Sequence, residues 1–256
     1  MKISGNTILI TGGGSGIGEQ LAHHFHDLGN TVIVAGRRED ALQRAIAGRP
    51  KMHAIAFDAE SLRGVADFAR RVTAEHPALN VLINNAGIMR FEALDRSRDL
   101  ADAEATVTTN LLGPIRLTNA LIEHLGHQPD AVLINVTSGL AFVPLVAAPT
   151  YSATKAALHS YTVALREALK GKVEVIELVP PAVQTDLTQG QATRQGYMPL
   201  PDFIDEVMGL FQQQPTPREI LVQRVAFQRN AEAEHRFDEA VTTLNDRPRT
   251  AREARQ

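Results

Sequence analysis

Thr7-Ile8-Leu9-Ile10-Thr11 runs directly into Gly12-Gly13-Gly14-Ser15-Gly16-Ile17-Gly18, and an amphipathic stretch opens at Gly16. The first five residues are β-branched or aliphatic, the composition of a strand buried on both faces. Glycines at 12, 16 and 18, in the spacing G-x-x-x-G-x-G, let the chain turn tightly and approach a bulky anion. A helix beginning at that point aims its unpaired N–H groups at the same anion. Strand, glycine turn and helix in this order open a βαβ unit suited to a dinucleotide pyrophosphate.

The same alternation continues downstream. Residues 31–35 (TVIVA), 53–57 (HAIAF), 81–84 (VLIN), 131–136 (AVLINV) and 173–179 (VEVIELV) read as further buried strands, with a short seventh at 219–222 (EILV). Amphipathic stretches at 16–28, 38–47, 61–75, 100–125 and 151–169 read as the connecting helices. Repeated β-α units with crossovers of this length imply an α/β fold: a doubly wound, Rossmann-type parallel sheet of seven strands with helices on both faces. A length of 256 residues and 44% hydrophobic content suit one such domain, read over 1–245. From 246 the tail is basic and almost without apolar residues, which suggests a flexible terminus. The net charge of −3 disfavours a nucleic-acid or anionic-membrane surface. Without cysteine there is no disulfide or thiolate chemistry, and no apolar run reaches the roughly 18 residues that cross a bilayer. The expected location is cytoplasmic. His23, His24 and His26 invite a metal reading but lack an adjacent third ligand, so no metal is expected.

Two further features carry chemistry. The second strand ends at Gly36 and is followed by Arg37 and Arg38, where NAD-preferring sites place an acid. Guanidinium groups there suit a ribose 2′-phosphate, which favours NADP(H), with NAD(H) the weaker alternative. Tyr151 and Lys155 lie four apart and share a helix face. An ammonium beside a phenol favours phenolate and draws its pKa from about 10 toward neutrality. Such a tyrosine exchanges protons with an alcohol or carbonyl. Taken alone, the pair reads far more readily as a surface contact.

The glycine turn, Asn84-Asn85-Ala86-Gly87, Asn110, Ser138 and Tyr151-x-x-x-Lys155 occur in order. On these motifs, over residues 5–225, the chain resembles the short-chain dehydrogenase/reductase family, in its compact single-domain branch. The stretch Pro180-Pro181-Ala182-Val183-Gln184-Thr185-Asp186-Leu187 is similar to the DltE-like subgroup. The resemblance implies that Gly12, Ser15, Gly16, Ile17 and Gly18 hold the pyrophosphate and Asp58 meets the adenine. Asn85, Ala86 and Gly87 line the adenosine side, and Val183 and Thr185 lie at the nicotinamide. It implies that Ser138 holds the substrate oxygen, Tyr151 exchanges the proton, and Lys155 tunes Tyr151 and binds the ribose. Asn110 positions a water behind Lys155. Two departures stand out: Pro181 replaces a common glycine, and Ser15 replaces the basic residue of many NADP-using members.

The expected reaction is hydride transfer between NADP(H) and a carbonyl or secondary alcohol. Leu140, Phe142, Val143, Pro144 and Leu145, with Leu187, Tyr197, Val183 and Met198 from a lid at 185–201, would form an apolar wall for a hydrophobic or aromatic substrate. These residues read alternatively as core or subunit contacts. The resemblance implies a homodimer or homotetramer formed through the long helix near 110–125. A non-catalytic NADP sensor and an isomerase or dehydratase are the alternative functions.

Overall fold

The computed structural model describes residues 1–58 and 62–253. Its elements in chain order are β1 (Thr7–Thr11), α1 (Gly16–Asp27), β2 (Thr31–Gly36), α2 (Glu39–Ile46), β3 (Met52–Ala56), α3 (Leu62–Glu75) and β4 (Leu79–Asn84). Next come α4 (Ala101–Val107), α5 (Gly113–Gly126), β5 (Val132–Val136), α6 (Pro149–Ala168), β6 (Glu174–Val179), α7 (Leu200–Phe211), β7 (Glu219–Leu221), α8 (Ala226–Arg229) and α9 (Phe237–Glu253). All seven strands are parallel in the order β3-β2-β1-β4-β5-β6-β7, so the chain reverses its direction of winding between β1 and β4. A crevice forms there, beyond the carboxyl ends of the strands, where doubly wound sheets hold ligands.

Alternate residues of each strand enter two separate cores. Ile8, Ile10, Val34, Ile83 and Ile134 pack with Phe25 of α1 and Phe203 and Phe211 of α7. The Phe25 and Phe211 rings approach to 5.6 Å between centroids. On the other face Leu9, Ile33, Leu82 and Leu133 meet Phe68 and Val72 of α3 and Leu117, Leu121 and Leu125 of α5. Burial on both faces is why the strands read as continuous aliphatic runs.

Several boundaries differ from the sequence reading. The helix expected over 100–125 is α4 and α5 joined by a π turn at Thr108–Leu112, in which the Gly113 N–H bonds the Thr108 carbonyl. Pro114, at the start of α5, brings no N–H to the carbonyl of Asn110, four residues back. Position 61, expected to begin α3, lies outside the described residues. The expected lid is internally bonded. Val183 bridges Met198, a short 3₁₀ turn covers Gln191–Thr193, and α7 begins at Leu200. The tail expected to fray from 246 is helical as far as Glu253, continuing α9, and residues 254–256 lie outside the described residues. Among the described residues no helix is long and apolar enough to cross a membrane.

Candidate active site

The glycine turn is fixed by close approach of backbone to backbone. Gly12 has φ +68°, and a Cβ there would lie 2.9 Å from the Ala86 Cα. At Gly18 a Cβ would come within 2.4 Å of both the Gly12 carbonyl and Asn85 Nδ2. The turn is thereby pressed against the 85–87 segment that follows β4. Asn85 reinforces the contact, its Nδ2 donating to the Thr11 carbonyl at 2.9 Å. Thr11, to which the sequence reading gave no role, receives both the Asn85 and Ala86 N–H groups on Oγ1 at 3.0 Å. Its place as the polar last residue of an aliphatic strand was the available signal.

Ser15 is the N-cap of α1, yet its side chain caps no helical N–H; Arg38 Nη2 donates to its Oγ at 3.1 Å. The helix start therefore keeps donors for an outside anion, with a guanidinium beside them. A cavity of about 190 Å³ opens at this point. Its walls include Gly12, Ser15, Gly36, Arg37, Arg38, Phe57, Asp58, Ala86, Gly87 and Ile88. Of the expected cofactor residues, Gly12, Ser15, Arg37, Arg38, Asp58, Ala86 and Gly87 share this cleft, whereas Gly16, Ile17, Gly18 and Asn85 are not among its walls. The tight glycine cradle, uncapped helix start and adjacent guanidinium fit a dinucleotide. Ile17 packs its side chain on the core, so only its backbone faces the turn. Val183 is likewise a core side chain, while Thr185 lies 3.5 Å from where a Gly16 Cβ would be.

At the far end of the cleft four polar side chains are buried together. Asn110 accepts from the Ile88 N–H through Oδ1 and donates to the Ile88 carbonyl through Nδ2, both at 2.8 Å. The π turn thereby clamps the segment after Gly87. Lys155 Nζ donates to the Val136 carbonyl at 2.8 Å and lies 5.6 Å from the Tyr151 ring centroid. A Cβ on Gly87 would sit 3.8 Å from that Nζ and 3.3 Å from Asn110 Oδ1, so the cleft and this cluster are continuous. Ser138 Oγ caps a 3₁₀ turn by accepting from the Leu140 N–H at 3.1 Å and also hydrogen-bonds Tyr151.

Burial sets the titration of this pair. It pushes the Tyr151 phenol up to about 12, with the Ser138 hydrogen bond opposing. It brings the Lys155 ammonium down to about 8. The expectation of a phenol below its ordinary pKa is corrected for the protein as it stands: desolvation disfavours both charged forms.

The expected substrate wall divides. Leu140, Leu145, Leu187 and Tyr197 are partly exposed. Val143 is fully buried with Ala231 and Ala240 beneath α9, which removes it from the wall. Phe142 is also removed, because its ring is engaged by His159 and Arg229. Met198 belongs to the core. The three early histidines each bond a backbone carbonyl: His23 that of Ala45, His24 that of Gln20 and His26 that of Pro50.

The parallel fold, glycine cradle and buried Ser-Tyr-Lys group define a dinucleotide-fold oxidoreductase, and the short chain dehydrogenase family model matches residues 6–196. The chain belongs to the short-chain dehydrogenase/reductase family, in its DltE-like subgroup. It is 42% identical over 204 residues to the uncharacterized oxidoreductase DltE of Bacillus subtilis, covering 77% of this chain and 79% of that protein. It is 28% identical over 195 residues to an 11-beta-hydroxysteroid dehydrogenase-like protein of Arabidopsis thaliana, spanning 74% of this chain and 63% of that one. Among solved structures, a 3-ketoacyl-(acyl-carrier-protein) reductase from Brucella melitensis complexed with NADH superposes with TM-score 0.76 at 25% identity, covering 85% of this chain and 96% of that one. A short chain dehydrogenase from Burkholderia cenocepacia in complex with NADP has TM-score 0.79 at 23% identity, over 95% and 99% of the two chains, a likeness of fold.

Proposed function

We propose that the protein is an NADP(H)-preferring reductase or dehydrogenase acting between a carbonyl and a secondary alcohol, on a hydrophobic or aromatic ketone or aldehyde. The observation that carries this reading is the burial of Ser138, Tyr151 and Lys155 at one end of a cleft whose other end holds the glycine turn, Arg37 and Arg38. The Gly12–Gly18 turn and the start of α1 would hold the pyrophosphate, Arg37 and Arg38 the 2′-phosphate, Asp58 the adenine, and Lys155 and Thr185 the nicotinamide end. The cofactor supplies the hydride.

The chain's own residues handle the oxygen and its proton. Ser138 donates a hydrogen bond to the substrate oxygen, and Tyr151 delivers a proton to it as negative charge builds there. Lys155 is mainly an ammonium below its pKa of about 8, and it favours the phenolate that Tyr151 leaves behind. Asn110 holds Ile88 with its side chain while Pro114 leaves the Asn110 carbonyl without its usual helical donor. That carbonyl suits a water that returns the proton to the pair. Of the two solved structures named above, one holds NADH and the other NADP. The preference for NADP therefore rests on Arg37, Arg38 and the Arg38–Ser15 contact.

The test is a panel of hydrophobic, aromatic and small carbonyl compounds with NADPH and NADH, followed by nicotinamide absorbance. Turnover of apolar carbonyls, faster with NADPH, is expected. Tight cofactor binding with no turnover across the panel would instead mark a cofactor sensor. Light scattering on the same sample tests the expected homodimer or homotetramer.

A further inference from the structure

Strand β6 carries a carboxylate that this chemistry does not use. Glu177 is fully buried among the aliphatic residues Val175, Ile176, Leu178 and Val179 of the strand. An ionised carboxylate in such a place persists only when paired and hydrogen-bonded, so its partners indicate its purpose. Thr137 Oγ1 donates to Glu177 Oε1 at 2.7 Å. His159 Nδ1 lies 3.0 and 2.8 Å from the two carboxylate oxygens, and a carboxylate only accepts, so Nδ1 carries the proton. In the parallel register Glu177 stands beside Glu219 of β7, and Arg229 donates to both oxygens of Glu219, at 2.7 and 2.9 Å. Two carboxylates on neighbouring strands are thus each matched by a basic side chain. The Phe142 ring bridges the two pairs, with its centroid 4.8 Å from the His159 ring and 4.8 Å from the Arg229 guanidinium.

The position of this box relative to the candidate catalytic group is the informative part. Tyr151, Lys155 and His159 are spaced four apart on α6 and share one face. They meet the carboxyl end of β5 together: Tyr151 at Ser138, Lys155 at the Val136 carbonyl, and His159 at Thr137 through Glu177. Ser138 lies between Thr137 and the 3₁₀ turn Gly139–Ala141, which ends at Phe142. Both flanks of the serine are therefore held by the same charged box.

We infer that His159 and Glu177 are positioning residues for Ser138, locking the 137–142 segment from Thr137 on one side and Phe142 on the other. The inference rests on the carbonyl chemistry proposed above. Hydrogen bonding to Glu177 also raises the His159 imidazole above its ordinary range, against the opposing effects of burial and Arg229. The same hydrogen bond therefore favours the protonated imidazole and the closed contact.

The test uses the full chain with Glu177→Gln, Thr137→Val, His159→Ala and His159→Asn, beside Tyr151→Phe. The first three should lower kcat about ten- to a hundredfold, the scale of a misplaced reacting group, with KM for the carbonyl and cofactor affinity by calorimetry changed less than about twofold. His159→Asn, which keeps a donor near the Nδ1 position, should recover part of the loss. Amide hydrogen exchange should quicken at Gly139–Phe142 and stay unchanged at Gly12–Gly18. Unchanged kcat and unchanged exchange in folded variants would overturn the inference. So would an equal loss of turnover, cofactor affinity and protection throughout the molecule. If Glu177→Gln does not fold, Thr137→Val keeps the ion pair and decides the question. Activity retained in Tyr151→Phe, or none in the wild type, would instead defeat the proposed chemistry, and the exchange measurement would still decide whether the lock exists.

Discussion

At Tyr151 and Lys155 burial works against both charged forms, and the pH dependence of the reaction follows from that opposition. Lys155 is an ammonium below about 8 and loses its charge above it. In the proposed mechanism Tyr151 delivers its proton under that charge, so kcat/KM for carbonyl reduction should be flat below about 8 and fall as pH rises through it. A profile that stays level from there to the stability limit would contradict the role given to Lys155. Tyr151→Phe should reduce turnover by about 10²–10⁴, the range of general acid catalysis, while cofactor affinity measured by calorimetry stays near wild type. Arg38→Ala should raise KM for NADPH by roughly ten- to a hundredfold, as loss of a charged hydrogen bond implies, and leave KM for NADH almost unchanged. Equal effects on the two cofactors would remove the 2′-phosphate reading. The spacing of Tyr151 and Lys155 was legible from the chain alone because a helix face has a fixed period. Their titration was not, since it depends on how little water reaches them after folding. Phe142 was misplaced for a related reason. An aromatic next to a candidate serine looks like a pocket wall until Arg229, far along the chain, is seen against its ring.

Among the elements, α6 is held at its start by a residue from another segment. Its N-cap, Ala148, has no side-chain acceptor to offer. Glu92 supplies one, receiving the Thr150 N–H at 3.1 Å and the Thr150 hydroxyl at 2.9 Å, and Arg98 donates to the same carboxylate at 2.7 Å. Burial tends to raise the Glu92 pKa, but Arg98 and Thr150 together outweigh it and hold the carboxyl below its ordinary range. A depressed folded pKa means that this contribution is complete above the unfolded value and is lost as pH falls through the folded one. Glu92→Ala should therefore destabilise the fold by about 0.5–2 kcal/mol in urea unfolding at neutral pH, the usual cost of a lost cap. The deficit relative to wild type should shrink in acid, and a deficit independent of pH would argue against an ionised cap. Strand positions were legible from aliphatic runs, and helix positions from amphipathic period. The break between α4 and α5 was not, because a π turn preserves the apolar stripe while adding a residue to the winding. Neither was the Glu92 cap, which acts across 58 positions of sequence.

For the molecule as a whole, the sheet holds because each strand serves two cores at once. Phe211 of α7 fills the space against Phe25 of α1, and Phe211→Ala should cost about 3–5 kcal/mol in urea unfolding. A loss below about 1 kcal/mol would show that the two helices collapse onto the gap. Such an architecture is readable in advance because parallel strands covered on both sides have a single compositional signature. The C-terminal part was harder to read. The 223–245 region carries few long aliphatic runs, yet it closes over the segment after Ser138: Val143 packs with Ala231 and Ala240, and Asn245 Oδ1 accepts from the Val146 N–H at 2.7 Å. The charged box beneath that segment also bears on the chain's descent. Glu177 and His159 depend on each other: losing His159 strands the fully buried carboxylate, and losing Glu177 leaves the partly exposed imidazole without its acceptor, whereas replacing both with apolar residues of matching volume is much better tolerated. Relatives are therefore expected to keep the two residues together or to have lost both, with the mixed combinations rare. A phylogeny would show them inherited as one character.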